Sequence, residues 1–224
     1  GLFVVTREHR GQGIGSRLWQ HALKTLGSVQ CIGLEAAVQM VGFYERAGFQ
    51  KDCITTRRQM LFRSDTWQDV SPSQRSDVAI VPLREVSLEA IQRYDERHEI
   101  SPRPHFLELW LRHRAGDVFA ARDSQGECHG YVRIRPCLLP IGEGWRVGPW
   151  LAEDPGMASL LLNNALTNHN GVVLIDTPGH NPSAKKILTA RGFKPMASTV
   201  RMYKGVSPNC HDRNVYGLAC LELG

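Results

Sequence analysis

The chain has 224 residues, with 27 Lys and Arg against 22 Asp and Glu for a formal charge of +5, and is 42% apolar and 22% charged. This is an ordinary composition for a globular protein, with enough chain for one large domain or two small ones. No apolar run approaches the ~20 residues of a membrane span and no signal-peptide pattern opens the chain, so the expectation is a soluble cytoplasmic protein with no membrane partner.

The basic residues are dispersed, so the charge suits an anionic cofactor as well as a nucleic acid, and no nucleic-acid module is read. The cysteines at 31, 53, 128, 137, 210 and 220 form no C-x-x-C pair and read as reduced core residues. The histidines show no H-x-x-x-H spacing, and no metal is expected.

In chain order, residues 2–5 (Leu-Phe-Val-Val) read as a short buried strand, followed by the turn Arg10-Gly11-Gln12-Gly13-Ile14-Gly15. Three glycines in five positions allow positive φ and present a row of N–H groups to an anion, with Arg10 beside them. A nucleotide-triphosphate loop would need Gly-Lys-Ser/Thr, but Gly15 is followed by Ser16 and Arg17. A dinucleotide fingerprint would need G-x-G-x-x-G directly after the strand. Glu35 stands where its acidic residue would be, yet the glycine spacing is wrong and the polar residues from Thr6 to Arg10 intervene. An acyl-coenzyme A loop, Arg/Gln-x-x-Gly-x-Gly/Ala, fits Arg10, Gly13 and Gly15; the plain alternative is an ordinary glycine turn.

Ile14, Leu18, Ala22 and Leu26 recur at every fourth position, with Trp19 and Leu23 widening the stripe, which predicts an amphipathic helix packed on a sheet and ended by Gly27. Residues 31–36 read as a strand parallel to the first, 38–47 as a helix stopped by Gly48, and 50–53 with 57–62 as a closing hairpin.

The run Phe43-Tyr44-Glu45-Arg46-Ala47-Gly48-Phe49 resembles the Tyr-Glu-Lys-x-Gly-Phe signature of the GNAT superfamily of N-acetyltransferases, and residues 5–15 look like that superfamily's acetyl-CoA loop with its preceding strand. The resemblance covers residues 1 to about 62 as the second half of one such domain. It implies an α/β (α+β) fold of GNAT-like mixed sheets flanked by helices. It also implies acetyl-CoA as co-substrate, held by Val4, Val5, Arg10, Gly11, Gln12, Gly13, Ile14, Gly15 and Ser16, with the pyrophosphate on the helix N-terminus and the pantetheine arm between two splayed strands. By the same resemblance Tyr44 is the general acid for the departing thiolate; a phenol of pKa about 10 suits that step. Packing beside Phe43 and Phe49 is its alternative role.

Residues 64–77 read as a linker, poor in apolar residues. Beyond it the pattern predicts a strand at 78–81, a helix at 88–98 capped by Ser87, and a helix at 102–114. A hairpin at 117–122 and 130–135 follows, then a strand at 145–151, a helix at 157–166, a strand at 172–176 and a helix at 183–190 leading into Arg191-Gly192-Phe193. The segment from Gly171 to Phe193 echoes that from Cys31 to Phe49 as a weak internal repeat. Tyr94-Asp95, Gly148-Pro149-Trp150 and Arg201-Met202-Tyr203 resemble the C-terminal domain of tandem-GNAT acetyltransferases, over residues 78–224.

The second segment carries Trp150 to Ala158 where a cofactor loop would stand, with one glycine and two carboxylates, and acid beside a pyrophosphate is repulsive. Substrate recognition, or closure of the first site, is the role left to it. Tyr94, Asp95, Arg103, Trp150, Arg201 and Tyr203 are its polar candidates, each also readable as packing or surface residues. Asp95 and Trp150, inside the matched segments, are assigned to an amine pocket.

A complete GNAT domain carries further strands and helices ahead of the strand at 2–5. The expectation is a longer chain, completion by the second segment, or a homodimer that completes the first sheet. No general base is assigned, because that residue often lies in the part cut off. The reading is an N-acetyltransferase moving acetyl from acetyl-CoA to the primary amine of a small molecule or, as a lesser alternative, of a protein. A CoA-binding pseudo-enzyme or interaction protein is the second reading and a dinucleotide-dependent oxidoreductase the third.

Overall fold

The computed structural model describes residues 3–64, 77–140, 142–206, 208 and 213–221. The elements are α1 (Ile14–Leu26), β1 (Cys31–Ala37), α2 (Val41–Arg46), β2 (Gln50–Phe62), β3 (Val78–Pro82), α3 (Leu88–His98), α4 (Pro104–Leu111), β4 (Asp117–Asp123), β5 (Cys128–Leu139), β6 (Gly142–Ala152), α5 (Pro155–Leu166), β7 (Gly171–Thr177), α6 (Pro182–Ala190), β8 (Lys194–Gly205) and β9 (Val215–Gly217). All strands belong to one mixed sheet, ordered β1-β8-β2-β7-β6-β5-β4-β3 with β9 beside β6. The β6–β7 pair is parallel and the other ladders are antiparallel.

Helix ends follow local chemistry. Ser87, Asp154 and Asn181 each accept a hydrogen bond from the third amide beyond them, capping α3, α5 and α6. The core lies in three packed groups: one around Trp150, Leu161, Leu162 and Ile175, a second around Tyr94, Leu107 and Tyr131, and a smaller one around Ala36, Tyr44, Phe49 and Met202. Each large apolar side chain so buried contributes about 1.5–3 kcal/mol.

The centre of the sheet joins the two segments. β1 and β2 are separated in sequence by a 3-10 turn and α2, yet β8 lies between them. β7 and β8 are separated by α6 alone, yet β2 lies between them. Each strand–helix–strand unit therefore opens to admit the last strand of the other, and the order β1-β8-β2-β7 reads alike from both ends. A bidentate ion pair, Arg57 Nε and Nη2 to Asp176 at 2.7 and 2.9 Å, ties β2 to β7 across this junction.

Four expectations change. Residues 3–5 are not a strand, and Val4 is 64% exposed, because no strand lies beside them among the described residues. The helix expected at 38–47 is a 3-10 turn at Val38–Met40 followed by the short α2. The hairpin expected within 50–62 is one strand, β2, because β8 occupies the place of its second arm, and the irregularity is a bulge between Lys51 and Ile54. The stripe of α1 does not pack on the sheet: Ile14, Leu18 and Leu26 are 37–48% exposed, and the helix is held through Trp19, which meets Phe3, Phe43, Tyr44 and Phe49 at 5.5–5.9 Å. Of the expected linker, residues 65–76 lie outside the described residues.

Candidate active site

Strand alternation builds a crevice on the face of the sheet away from α1 and α2. Ile32, Leu34 and Ala36 of β1, with Val200 and Met202 of β8, pack toward those helices. Cys31, Gly33 and Glu35, with Thr199, Arg201 and Tyr203, therefore take the opposite side. There Cys31, Gly33, Glu35, Arg201 and Tyr203 line a crevice of about 600 Å³ and an adjoining recess of about 40 Å³. Its far wall is the α3–α4 connection with Glu99, Ile100 and Arg103, and the recess is closed by Asp52 and Cys53 of β2 and by Pro178 and His180 from the β7–α6 connection. Both segments of the chain contribute to the lining.

Glu35 is the buried carboxylate of this recess, its side chain 4% exposed. Burial raises its pKa above the usual carboxylate value, partly offset by hydrogen bonds donated by the hydroxyls of Thr199 (2.6 Å) and Thr55 (2.9 Å) and by the charge of Arg201 at 3.9 Å. Arg201 is turned aside: its Nε donates to the Tyr203 hydroxyl at 3.0 Å. A carboxylate with a raised pKa, facing a cavity, has the character of a general base. The sequence assigns Glu35 no role as a base because half its surroundings lie on β8, and its local signal is a single acid in the apolar run Cys-Ile-Gly-Leu-Glu-Ala-Ala.

The loop at 10–16 has the properties of an anion cradle. Gly13 caps α1 at φ +76°, a conformation other residues adopt only with strain, and no side chain caps the helix. The loop is held from behind, with Arg10 Nε donating to the Val5 carbonyl (3.0 Å) and Gln12 Nε2 to the Glu8 carbonyl (3.1 Å). Gly11, Ile14, Gly15 and Ser16 complete a solvent-facing helix N-terminus with its unpaired amides and dipole. The corresponding start of α5 is filled by its own chain: Asp154 Oδ1 accepts the Met157 amide at 2.9 Å, leaving a carboxylate where a phosphate would sit.

Tyr44 lies in α2 within the aromatic group of Trp19, Phe43 and Phe49. Its hydroxyl has no hydrogen-bond partner among the described residues, and burial raises its pKa.

The second segment's candidates divide. Arg103, Arg201 and Tyr203 line the crevice. Asp95 stands behind it, fully buried, with both oxygens taking Arg103 Nε and Nη2 at 2.9 and 2.8 Å and one also taking the Tyr131 hydroxyl. Trp150 is also fully buried; its indole N–H donates to the Ala158 carbonyl at 3.1 Å and its ring packs on Tyr216. Neither reaches the crevice, so the geometry gives them scaffold contacts in place of the amine pocket expected from sequence. Tyr94 is likewise buried, beside His98.

An uncapped glycine helix start and a crevice beside a mixed sheet agree with the GNAT class of acyltransferase, which the family matches show. A model of the acetyltransferase (GNAT) domain matches residues 91–217, and a second GNAT-domain model matches residues 1–51. The chain belongs to this family of acyltransferases, with two GNAT segments in tandem. A curated relative, the holothin acyltransferase of Pseudoalteromonas sp. (strain SANK 73390), is 26% identical over 226 residues, which cover all of this chain and 72% of that protein. Among solved structures, a candidate acetyltransferase from Pyrococcus horikoshii superposes with a TM-score of 0.77 at 20% identity, over 99% of this chain and 70% of its own. A tandem GNAT protein from the clavulanic acid biosynthesis pathway superposes with a TM-score of 0.60 at 16% identity, over 91% and 74%.

Proposed function

We propose that the protein is an N-acyltransferase that moves an acetyl group from acetyl-CoA to the primary amine of a small molecule seated in the crevice. The observation that carries this reading is the buried, pKa-raised Glu35 in a cavity built by both segments. Glu35 takes the proton from the incoming ammonium, because an amine must be neutral to attack. The pyrophosphate rests on Gly11 to Ser16 at the start of α1 beside Arg10, and the pantetheine arm follows the outer edge of β1, which has no partner strand among the described residues. The amine attacks the thioester carbonyl directly, the acyl–nitrogen bond forms, and the carbon–sulfur bond breaks. Tyr44 gives its proton to the departing thiolate, and the proton shed by the new amide nitrogen restores the phenol through solvent. Holding both reactants in line supplies much of the rate.

The relative's name, an acyltransferase of holothin, supports holothin or a compound like it as the kind of acceptor. Calorimetric titration with acetyl-CoA, followed by a thiol-release assay over a panel of amines, tests the reading. Binding with amine-dependent thiol release supports it. Binding without turnover on any amine favours a CoA-binding protein without catalysis, and no binding removes both.

A further inference from the structure

We propose that Asp52, Cys53 and His180 form a site for a zinc-type divalent cation that clamps β2 to the β7–α6 connection. Their three donor atoms lie within 4.8 Å of one another, with His180 Nε2 2.8 Å from Asp52 Oδ2. The sequence offers no metal spacing because the histidine stands 128 residues from the aspartate, on the other segment.

Neighbours along a strand point to opposite faces, so Asp52 and Cys53 should not share a ligand. They do here because β2 is bulged: Lys51 pairs with Met202 and Ile54 with Val200, so one extra residue is accommodated. A bulge re-aims side chains in this way and is common beside functional sites. The opposing connection is shaped to match. Gly179 passes so close that a Cβ there would stand 2.6 Å from the Ile54 carbonyl oxygen and 3.4 Å from the Cys53 Cβ. A residue with a side chain at 179 would push His180 away from the bulge.

The donors are one thiolate sulfur, one imidazole nitrogen and one carboxylate oxygen, the set that borderline-soft zinc prefers over magnesium or calcium. Zinc–sulfur and zinc–nitrogen distances near 2.3 and 2.0 Å put tetrahedral neighbours about 3.3–3.5 Å apart, so on binding the 2.8 Å His180–Asp52 contact opens by about 0.5 Å while the wider donor pairs, now within 4.8 Å, draw in around the ion. On binding, the cation replaces the Cys53 thiol proton, which leaves to solvent. The thiolate and the Asp52 carboxylate then balance its two charges, and His180 gives a neutral lone pair. The fourth position opens to the recess that holds Glu35, where water completes the tetrahedron.

Cobalt titration of the chelator-stripped full chain tests the site. The expected result is one equivalent bound, with the near-ultraviolet thiolate-to-cobalt absorption and the visible bands of a tetrahedral ion, all displaced by zinc. Cys53→Ser should lose the charge-transfer band, and His180→Gln should weaken cobalt binding by about 10-fold or more. No charge-transfer band from the folded wild type, or the same band from folded Cys53→Ser, overturns the proposal. Should Cys53→Ser fail to fold, His180→Gln keeps every thiol in place, and an unchanged cobalt affinity there also overturns it.

Discussion

The Thr199 hydroxyl donates a 2.6 Å hydrogen bond to Glu35 across 164 residues of sequence. The contact exists because β8 enters the sheet beside β1, so the carboxylate that faces the crevice acquires its environment only when both segments share one sheet. A hydrogen bond to the ionised carboxylate lowers its pKa, so removing it raises an already raised value. In Thr199→Val the acidic limb of the kcat/KM profile, where activity climbs as Glu35 loses its proton, should move to higher pH. Profiles of wild type and variant on one amine check this.

Arg57 and Asp176 close the junction between β2 and β7, with the carboxylate only 1% exposed. Arg57→Ala leaves that carboxylate without its guanidinium, and breaking a buried pair from one side costs about 3–5 kcal/mol. Urea unfolding should show a loss of this size, with the slope of the transition unchanged.

Tyr44 separates packing from chemistry. Its ring fills the group around Trp19, while its hydroxyl makes no hydrogen bond among the described residues. Tyr44→Phe should unfold like the wild type and lower kcat about 10²-fold, the scale of one lost general acid. A fall in stability with kcat unchanged would assign the residue to packing alone.

Gly13 holds φ +76° at the start of a helix with no buried residue. An alanine there costs about 1–2 kcal/mol in the cradle conformation, equivalent to an increase of about 5–30-fold in KM for acetyl-CoA. Global stability should be unaffected, and steady-state kinetics with saturating amine measures the shift.

What the sequence disclosed was local. The helix at Leu88–His98 was readable to the residue because the Ser87 hydroxyl accepts the Ala90 amide three residues on, and the parallel pair around α5 follows from strand, helix and strand in succession. The glycine loop and the Tyr44 signature were legible as short motifs. The insertion of β8 between β1 and β2 was hidden, because nothing near residues 31–62 specifies a partner from 194–205. The same long-range pairing concealed Glu35, while Asp95 and Trp150 stood out as polar or aromatic residues whose burial the periodicity could not show. The α1 stripe read as a packed face, since amphipathicity reports what a helix can bury and says nothing about whether a neighbour is there.

The role of Glu35 is tested most directly by the pH dependence of kcat/KM in Glu35→Gln. Glutamine keeps the size of the side chain and cannot take a proton. The predicted result is a fall of about 10²–10⁴-fold at neutral pH, with the acidic limb set by Glu35 lost and activity recovering as pH rises and free amine accumulates in solution. A wild-type rate with the wild-type acidic limb retained would contradict Glu35 as the base.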